Sequence, residues 1–240
     1  LHAAENLSDV RLMPAPVSII IPALNAAQDL PLCLASLMPG LSADLVREVI
    51  LVDGGSEDAT AAIAEDTGAT VLRADRPGRA HQLRLGAAAA RGDWMLFLHA
   101  DTALTPDWAE RVWDHLDDHT DRAASFTLAF RSDHPMARRV AARANLRARW
   151  LGLPYGDQGL LISRGLYEAV GGYADIRFME DVQLVRAIGR SRLVQLSAQA
   201  RTSAVKYEQE GWRRRSWRNA WLILRVLLGA DPETLMRPQP

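Results

Sequence analysis

Carboxylates recur where apolar runs give way to polar elbows, and in that position they can hold a cation or move a proton. Asp101 closes the stretch Gly92-Asp93-Trp94-Met95-Leu96-Phe97-Leu98-His99-Ala100-Asp101-Thr102. Trp94 to Leu98 is a short apolar run that suits a parallel strand covered on both faces. Ligands of open α/β sheets gather at the carboxyl ends of strands, which puts His99 and Asp101 where a metal or a phosphate would bind. Alternatively Asp101 and Thr102 merely start the next helix. Thr105-Pro106-Asp107 suits that task better, with a cap-type residue and then Pro in the first turn. Asp53 follows a second apolar run and precedes Gly54-Gly55-Ser56. It can accept from a nucleobase N–H while the glycines let a ligand approach the backbone; the same residues also make an ordinary strand-to-helix turn. Glu180 and Asp181 open a helix. They complement its dipole, worth about 0.3–1 kcal/mol, or supply a general base for an acceptor hydroxyl. Arg76, Arg79 and His81 surround Pro77-Gly78 at another helix start. Arg79 can reach a diphosphate there, or the group is a solvated arginine cluster.

The elements that carry these groups alternate strictly at first. Val17 to Ile21 reads as a strand, with Pro22-Ala23-Leu24-Asn25 the loop after it, and Asp29 caps a helix from Leu30 to Leu37. Strands over Val46–Val52, Thr70–Leu72 and Trp94–Leu98 are separated by helices over Asp58–Thr67 and His81–Ala90. That β-α-β-α-β-α-β order means a parallel sheet with helices on both faces. No Gly-x-Gly-x-x-Gly follows the first strand and no Walker A sequence is present, which disfavours a dinucleotide-binding domain and a P-loop NTPase. The second half is mixed. It predicts helices over Asp107–Leu116, Pro135–Leu151, Arg164–Val170, Glu180–Ile188 and Trp212–Leu228, and strands over Ala124–Phe130, Leu160–Ile162, Leu193–Leu196 and Ala200–Val205.

Composition narrows the class. The chain has 240 residues, 48% hydrophobic and 24% charged, ordinary for a globular protein with one large domain. A net charge of -1 gives no bulk reason to expect a nucleic-acid partner. Lys206 is the sole lysine and Cys33 the sole cysteine, the latter in an apolar helical run where it reads as a small core residue. No stretch is long and apolar enough for a membrane span, and the first twelve residues lack the order of a signal peptide. The expected location is the cytoplasm. Trp212-Arg213-Arg214-Arg215-Ser216-Trp217 suits an anionic membrane surface, giving a peripheral place at the inner membrane face. The favoured reading is that Trp217, Trp221, Leu224 and Leu228 share one helical face that docks on the domain or on a second copy.

The ordered set Val17-Ser-Ile-Ile-Ile-Pro-Ala-Leu-Asn, Val52-Asp-Gly-Gly-Ser-Glu-Asp-Ala-Thr, Leu98-His-Ala-Asp-Thr, Gly171-Gly-Tyr and Glu180-Asp181 resembles the family 2 glycosyltransferases of GT-A fold. Gly78-Arg-Ala-His-Gln, Gly156-Asp-Gln-Gly and Thr202-Ser with Gly211-Trp are similar to a bacterial subgroup, the radical-SAM/selenodomain-associated transferase 2 proteins. The resemblance implies transfer of a sugar from a nucleotide-diphosphate donor, UDP- or GDP-linked, to an unspecified acceptor, with inversion and with Mn²⁺ or Mg²⁺. It places Pro22, Ala23, Leu24 and Asn25 beside base and ribose, Asp53 on the base, and Arg79 and His99 near the diphosphate. Asp101 matches the last Asp of an Asp-x-Asp metal motif, Asp181 the catalytic base with Glu180 in support, and Asp157, Gln158 and Trp212 the acceptor side. Four positions depart from the pattern. His99 replaces the first Asp of Asp-x-Asp, Leu24 a base-stacking aromatic, Arg84 an Asn, and Val205-Lys206-Tyr207 an Arg-Arg-Trp.

The expected organisation is an N-terminal extension over 1–16, a GT-A domain over 17–205 and a C-terminal helical extension over 206–240. The domain divides into a nucleotide-binding half, 17–102, and an acceptor-side half, 103–205. Two rival readings are a nucleotidyltransferase, which would carry a basic glycine-rich loop where Ala23-Leu24-Asn25-Ala26-Ala27 stands, and a non-catalytic nucleotide-sugar-binding or membrane-associated protein.

Overall fold

The computed structural model describes residues 15–119, 121–176 and 178–227. Most of the expected N-terminal extension, and Leu228 of the expected terminal helix, lie outside them. Among the described residues eight strands form one sheet in the order β3-β2-β1-β4-β7-β6-β8-β5. The first four are β1 (Val17–Ala23), β2 (Val46–Asp53), β3 (Thr70–Arg73) and β4 (Trp94–Phe97), all paired in parallel. Beyond β4 come β7 (Leu160–Ser163), β6 (Ala123–Phe130), β8 (Leu193–Thr202) and β5 (Thr102–Leu104), where antiparallel pairs enter and only β6 and β8 run parallel. This is the expected α/β architecture, a mostly parallel sheet covered on both faces.

Alternation in the strands sorts side chains to two cores. Ile19, Ile21, Leu51 and Leu96 pack with helix α1 (Leu30–Ala35), the short α2 (Met38–Ser42) at its end, and α5 (Trp108–Asp118). Ile20, Ile50, Val52 and Met95 face the other side, against α4 (Arg79–Ala89) and α8 (Glu180–Ile188). Helix α3 (Thr60–Asp66) joins β2 to β3, and α7 (Arg164–Ala169) follows β7. The last described elements are α6 (Pro135–Leu151), α9 (Val205–Glu210) and α10 (Trp212–Leu227), which meet over Leu128, Phe130 and Trp212.

Several sequence expectations shift. Pro22 and Ala23 are not loop but the buried end of β1. Leu98 donates its N–H to Ile20 O at 3.0 Å, so even residues of β1 face β4. The missing N–H of Pro22 therefore falls just past the last paired residue, Phe97. Asp29 makes no side-chain cap; it pairs with Arg131 instead. Leu193 to Thr202 is one strand with a register shift rather than two, and Val205 starts a helix. The three-residue β5 was not expected, being too short to show alternation.

Candidate active site

Two loops meet at the carboxyl ends of β1 and β2. Asn25 adopts a left-handed conformation, φ 50°, and accepts from Glu57 N–H at 2.9 Å. The Ala26 and Ala27 N–H groups donate to Thr60 Oγ1 and Asp58 Oδ2 at 2.7 and 3.0 Å. Asp53 is buried, and both its oxygens accept from Ser56 N–H, at 3.0 and 3.2 Å, with Ser56 Oγ donating at 2.5 Å. The turn-forming role of Asp53 is thus present. Beneath the loops the buried Gln82 amide donates to Ala23 O and Val52 O at 2.8 and 2.7 Å, tying the ends of β1 and β2 together. Leu24 points outward, more than half exposed.

The neighbouring strand end carries Asp101. Its Oδ1 accepts from Thr102 and Thr202 Oγ1, both at 3.3 Å, so β5 and β8 brace it. Arg131 holds the loop from behind by donating to Asp101 O at 3.1 Å. A cavity of about 200 Å³ opens here, lined by Arg79, His99, Asp101, Asp157, Asp181 and Lys206 among others. Asp181 comes from the first turn of α8. Its Oδ2 accepts from Gly156 N–H at 2.9 Å and its Oδ1 from Val182 N–H at 2.8 Å, which fixes the carboxylate's orientation. Gly156 is also a spacer. A Cβ there would lie 2.6 Å from His99 Nε2, so any side chain would push the imidazole away.

The pairing of Glu180 with Arg79 joins α8 to the start of α4. Glu180 is buried while the Arg79 side chain is partly open to the cavity. Burial works against the guanidinium charge, but the Asp181 and Glu180 carboxylates outweigh it and raise its pKa. Of the expected arginine cluster only Arg79 faces the cavity. Arg76 and Arg84 both pair with Asp175, at 2.6 and 3.3 Å, and His81 meets Asp75. Burial, and next the Arg79 charge, lower the His99 imidazole to about 4, so it is neutral near pH 7. Burial pushes the Asp157 carboxyl up to about 6.

The expected acceptor-side residues divide. Asp157 lines the cavity, with Oδ1 lacking a protein partner. Gln158 does not. It is fully buried and donates to Phe126 O at 3.1 Å, a structural bond between the Gly156 turn and β6. Trp212 is buried between Phe130, His134 and Tyr207 and seats α10 rather than facing the cavity. Sequence reasoning missed Tyr155, Arg215 and Asn219 as site residues and noticed Tyr207 only as a departure; all four line the cavity. Lys206, noticed in the same departure, carried one further signal, as the only lysine in the chain.

Among the described residues no group of three or more His, Cys, Asp or Glu side chains is placed to hold a metal alone. His99 and Asp101 nevertheless face one cavity, one neutral imidazole and one carboxylate. Mg²⁺ and Mn²⁺ bound with nucleotides take one or two carboxylates plus phosphate oxygens and water. The donor set therefore fits an ion carried with a diphosphate, not a preformed cage.

Comparison with known proteins bears on the family and the fold. Over 117 residues the chain is 38% identical to a TPR repeat-containing protein of Synechococcus elongatus, covering 48% of this chain and 27% of that protein. Over 115 residues it is 39% identical to a PGL/p-HBAD biosynthesis glycosyltransferase of Mycobacterium bovis, covering 45% and 44%. The chain thus matches less than half the length of these relatives. Glucosyl-3-phosphoglycerate synthase from Mycobacterium tuberculosis, solved with Mn²⁺, UDP and glucosyl-3-phosphoglycerate, superposes with a TM-score of 0.62 at 20% identity, covering 90% of this chain and 81% of that one. At that identity the likeness is one of fold. S. aureus TarS gives 0.60 at 16% identity over 90% and 66%. The sequence profile of glycosyl transferase family 2 matches residues 18–180, and with the sheet order and strand-end carboxylates this establishes that the chain belongs to that family.

Proposed function

We propose that the chain transfers a sugar from a UDP- or GDP-linked donor to an acceptor hydroxyl, with inversion and with Asp181 as base. The observation that carries this is the convergence of Arg79, His99, Asp101, Asp181 and Lys206 on one cavity at the carboxyl edge of the sheet. The base and ribose of the donor lie on the ledge made by Pro22 to Asn25 and Asp53, with the diphosphate reaching towards Asp101. Asp181 takes the acceptor proton as the acceptor oxygen bonds to the anomeric carbon from the face opposite the leaving group. The bond from that carbon to the diphosphate oxygen breaks, and its electrons leave with the nucleoside diphosphate. Arg79 and Lys206 stabilise the charge gathering there. A divalent ion, held by Asp101 and His99 with the diphosphate, would supply Lewis-acid neutralisation of the same charge.

Glucosyl-3-phosphoglycerate synthase has been solved with Mn²⁺ and UDP-glucose, which supports a uridine donor and this metal. Gly78-Arg-Ala-His-Gln and Gly156-Asp-Gln-Gly support membership of the radical-SAM/selenodomain-associated transferase 2 subgroup. We place a peripheral membrane contact at α10; no described helix is long and apolar enough to cross a membrane. The reading is tested by calorimetric titration of UDP and GDP, each with Mn²⁺ and with EDTA, on wild type and Asp101→Ala. Metal-dependent binding that disappears in Asp101→Ala is expected. Failure of both nucleotides to bind in either condition overturns it. Asp181→Asn should bind donor normally and lose turnover by about 10²–10⁴-fold.

A further inference from the structure

The chain's net charge is -1, yet α6 and α10 carry five arginines each and no acidic residue. The rest of the molecule is correspondingly acidic, so the positive charge is concentrated on one pair of touching helices. Several of these arginines are committed. Arg215 and Arg218 pair with Glu210, and Arg147 stacks on the Tyr155 ring at 3.4 Å. Arg138, Arg139, Arg143, Arg149, Arg213 and Arg214 are exposed and have no carboxylate partner among the described residues.

The same two helices hold the most exposed large apolar side chains of the described residues. Trp217 is 78% exposed, and Leu146, Trp150, Leu151 and Trp221 each lie between 58% and 59%. Trp217 and Trp221 are one turn apart on α10, and Leu146 and Trp150 one turn apart on α6. Each pair is flanked by arginine: Arg213 and Arg214 on α10, Arg143 and Arg149 on α6. Between the helices runs a groove of about 170 Å³ floored by Leu128, Val140, Ala144 and Ala220. It shares Tyr155, Asp157, Tyr207 and Asn219 with the active-site cavity, so groove and cavity adjoin.

We infer that α6 and α10 together form a docking face for an anionic bilayer surface, which presents a membrane-borne acceptor to the groove between them. Tryptophan suits the boundary between headgroups and acyl chains, and arginine suits anionic headgroups. A two-fold dimer through this face would set the six exposed, unpaired arginines of each copy against those of the other, which charge complementarity disfavours. The acceptor part of the inference rests on the transferase reading; the docking part does not.

Vesicle co-sedimentation of the full chain tests it, with phosphatidylglycerol-containing vesicles, pure phosphatidylcholine vesicles and duplex DNA as probes. Binding to the anionic vesicles alone, weakened by salt, is expected. Each arginine removed in Arg213→Gln and Arg214→Gln should lower partitioning about fivefold. Trp217→Ser with Trp221→Ser, and Trp150→Ser separately, should lower it further and remove the lipid-induced blue shift of fluorescence. All these positions are exposed, so unchanged circular dichroism and unchanged UDP binding show that the variants are folded. No binding to anionic vesicles overturns the inference, as does vesicle binding that none of these substitutions weakens. Equal binding to duplex DNA without need of the tryptophans, or dimerisation abolished by the same substitutions, also overturns it. Wild type that binds vesicles but neither UDP nor GDP would sink the transferase reading and leave the docking face standing.

Discussion

In the loops after β1 and β2 the buried polar side chains all find partners within the chain; around Tyr155 and Asp157 they do not. Among the described residues, no buried side-chain nitrogen or oxygen without a partner precedes Arg111, and those of Tyr155, Asp157, Trp212, Arg215 and Ser216 cluster between α6, α10 and the cavity. A buried polar atom left unpaired costs about 1–3 kcal/mol. On the proposed reading the donor ledge is complete without ligand, while the acceptor side keeps hydrogen-bonding capacity in reserve. The difference matches the two tasks. A nucleotide asks for a rigid ledge, and an acceptor whose hydroxyl must reach Asp181 gains from groups free to orient it.

The largest expected effect is at the seam between the two sides. Gly156→Ala should displace His99 and loosen Asp181 together, lowering kcat/KM by about 100-fold while circular dichroism shows an intact fold. Undiminished turnover would mean that the Gly156 contact carries no catalytic geometry. Next, Gln82→Ala leaves Val52 O without this donor and opens the floor under the ledge. We expect a loss of about 2–3 kcal/mol in urea unfolding; a neutral result would erase the contrast between a satisfied and an unsatisfied half.

A third test uses pH. The Asp157 carboxyl is raised from 3.8 to about 6, so the folded state binds the extra proton and stability is lost as pH rises through that window. His99 is depressed from 6.5 to about 4, so its contribution is present above pH 6.5 and is lost as pH falls towards 4. Asp157→Asn and His99→Asn should therefore tilt the stability profile between pH 4 and 6.5 in opposite directions, by about 1–2 kcal/mol each. Slopes of the same sign would refute this assignment. The smallest effect is Tyr155→Phe, which removes a hydroxyl without a protein partner. Stability should rise, by about 1 kcal/mol, while the acceptor KM rises and the donor KM stays fixed.

The first half was legible in the sequence because β1, β4 and the end of β2 are buried on both faces. Ile19 to Ile21 and Val49 to Val52 read as unbroken apolar runs that end in Pro22 and Asp53, so the elbow residues marked themselves. The acceptor side hid its residues for a physical reason. Tyr155, Tyr207, Arg215 and Asn219 come from three segments that fold back over the sheet, and no spacing along the chain announces that meeting. Gln158 and Trp212 show the converse: they stand in the right motifs, but packing claimed their side chains. The reading of Ala200 to Val205 as a strand ran too far because burial alternates up to Thr202 and nothing apolar marks the change at Val205.

The chain has one thiol and one side-chain amine, and they lie in opposite circumstances. Cys33 is fully buried on α1, where burial pushes its thiol up to about 12, so reagents that seek thiolate find nothing. Lys206 is exposed at the cleft. Coupling the protein to a sensor chip or a dye through lysine would therefore plug its own cleft, and a tag introduced by chemistry has to be placed on an added cysteine instead.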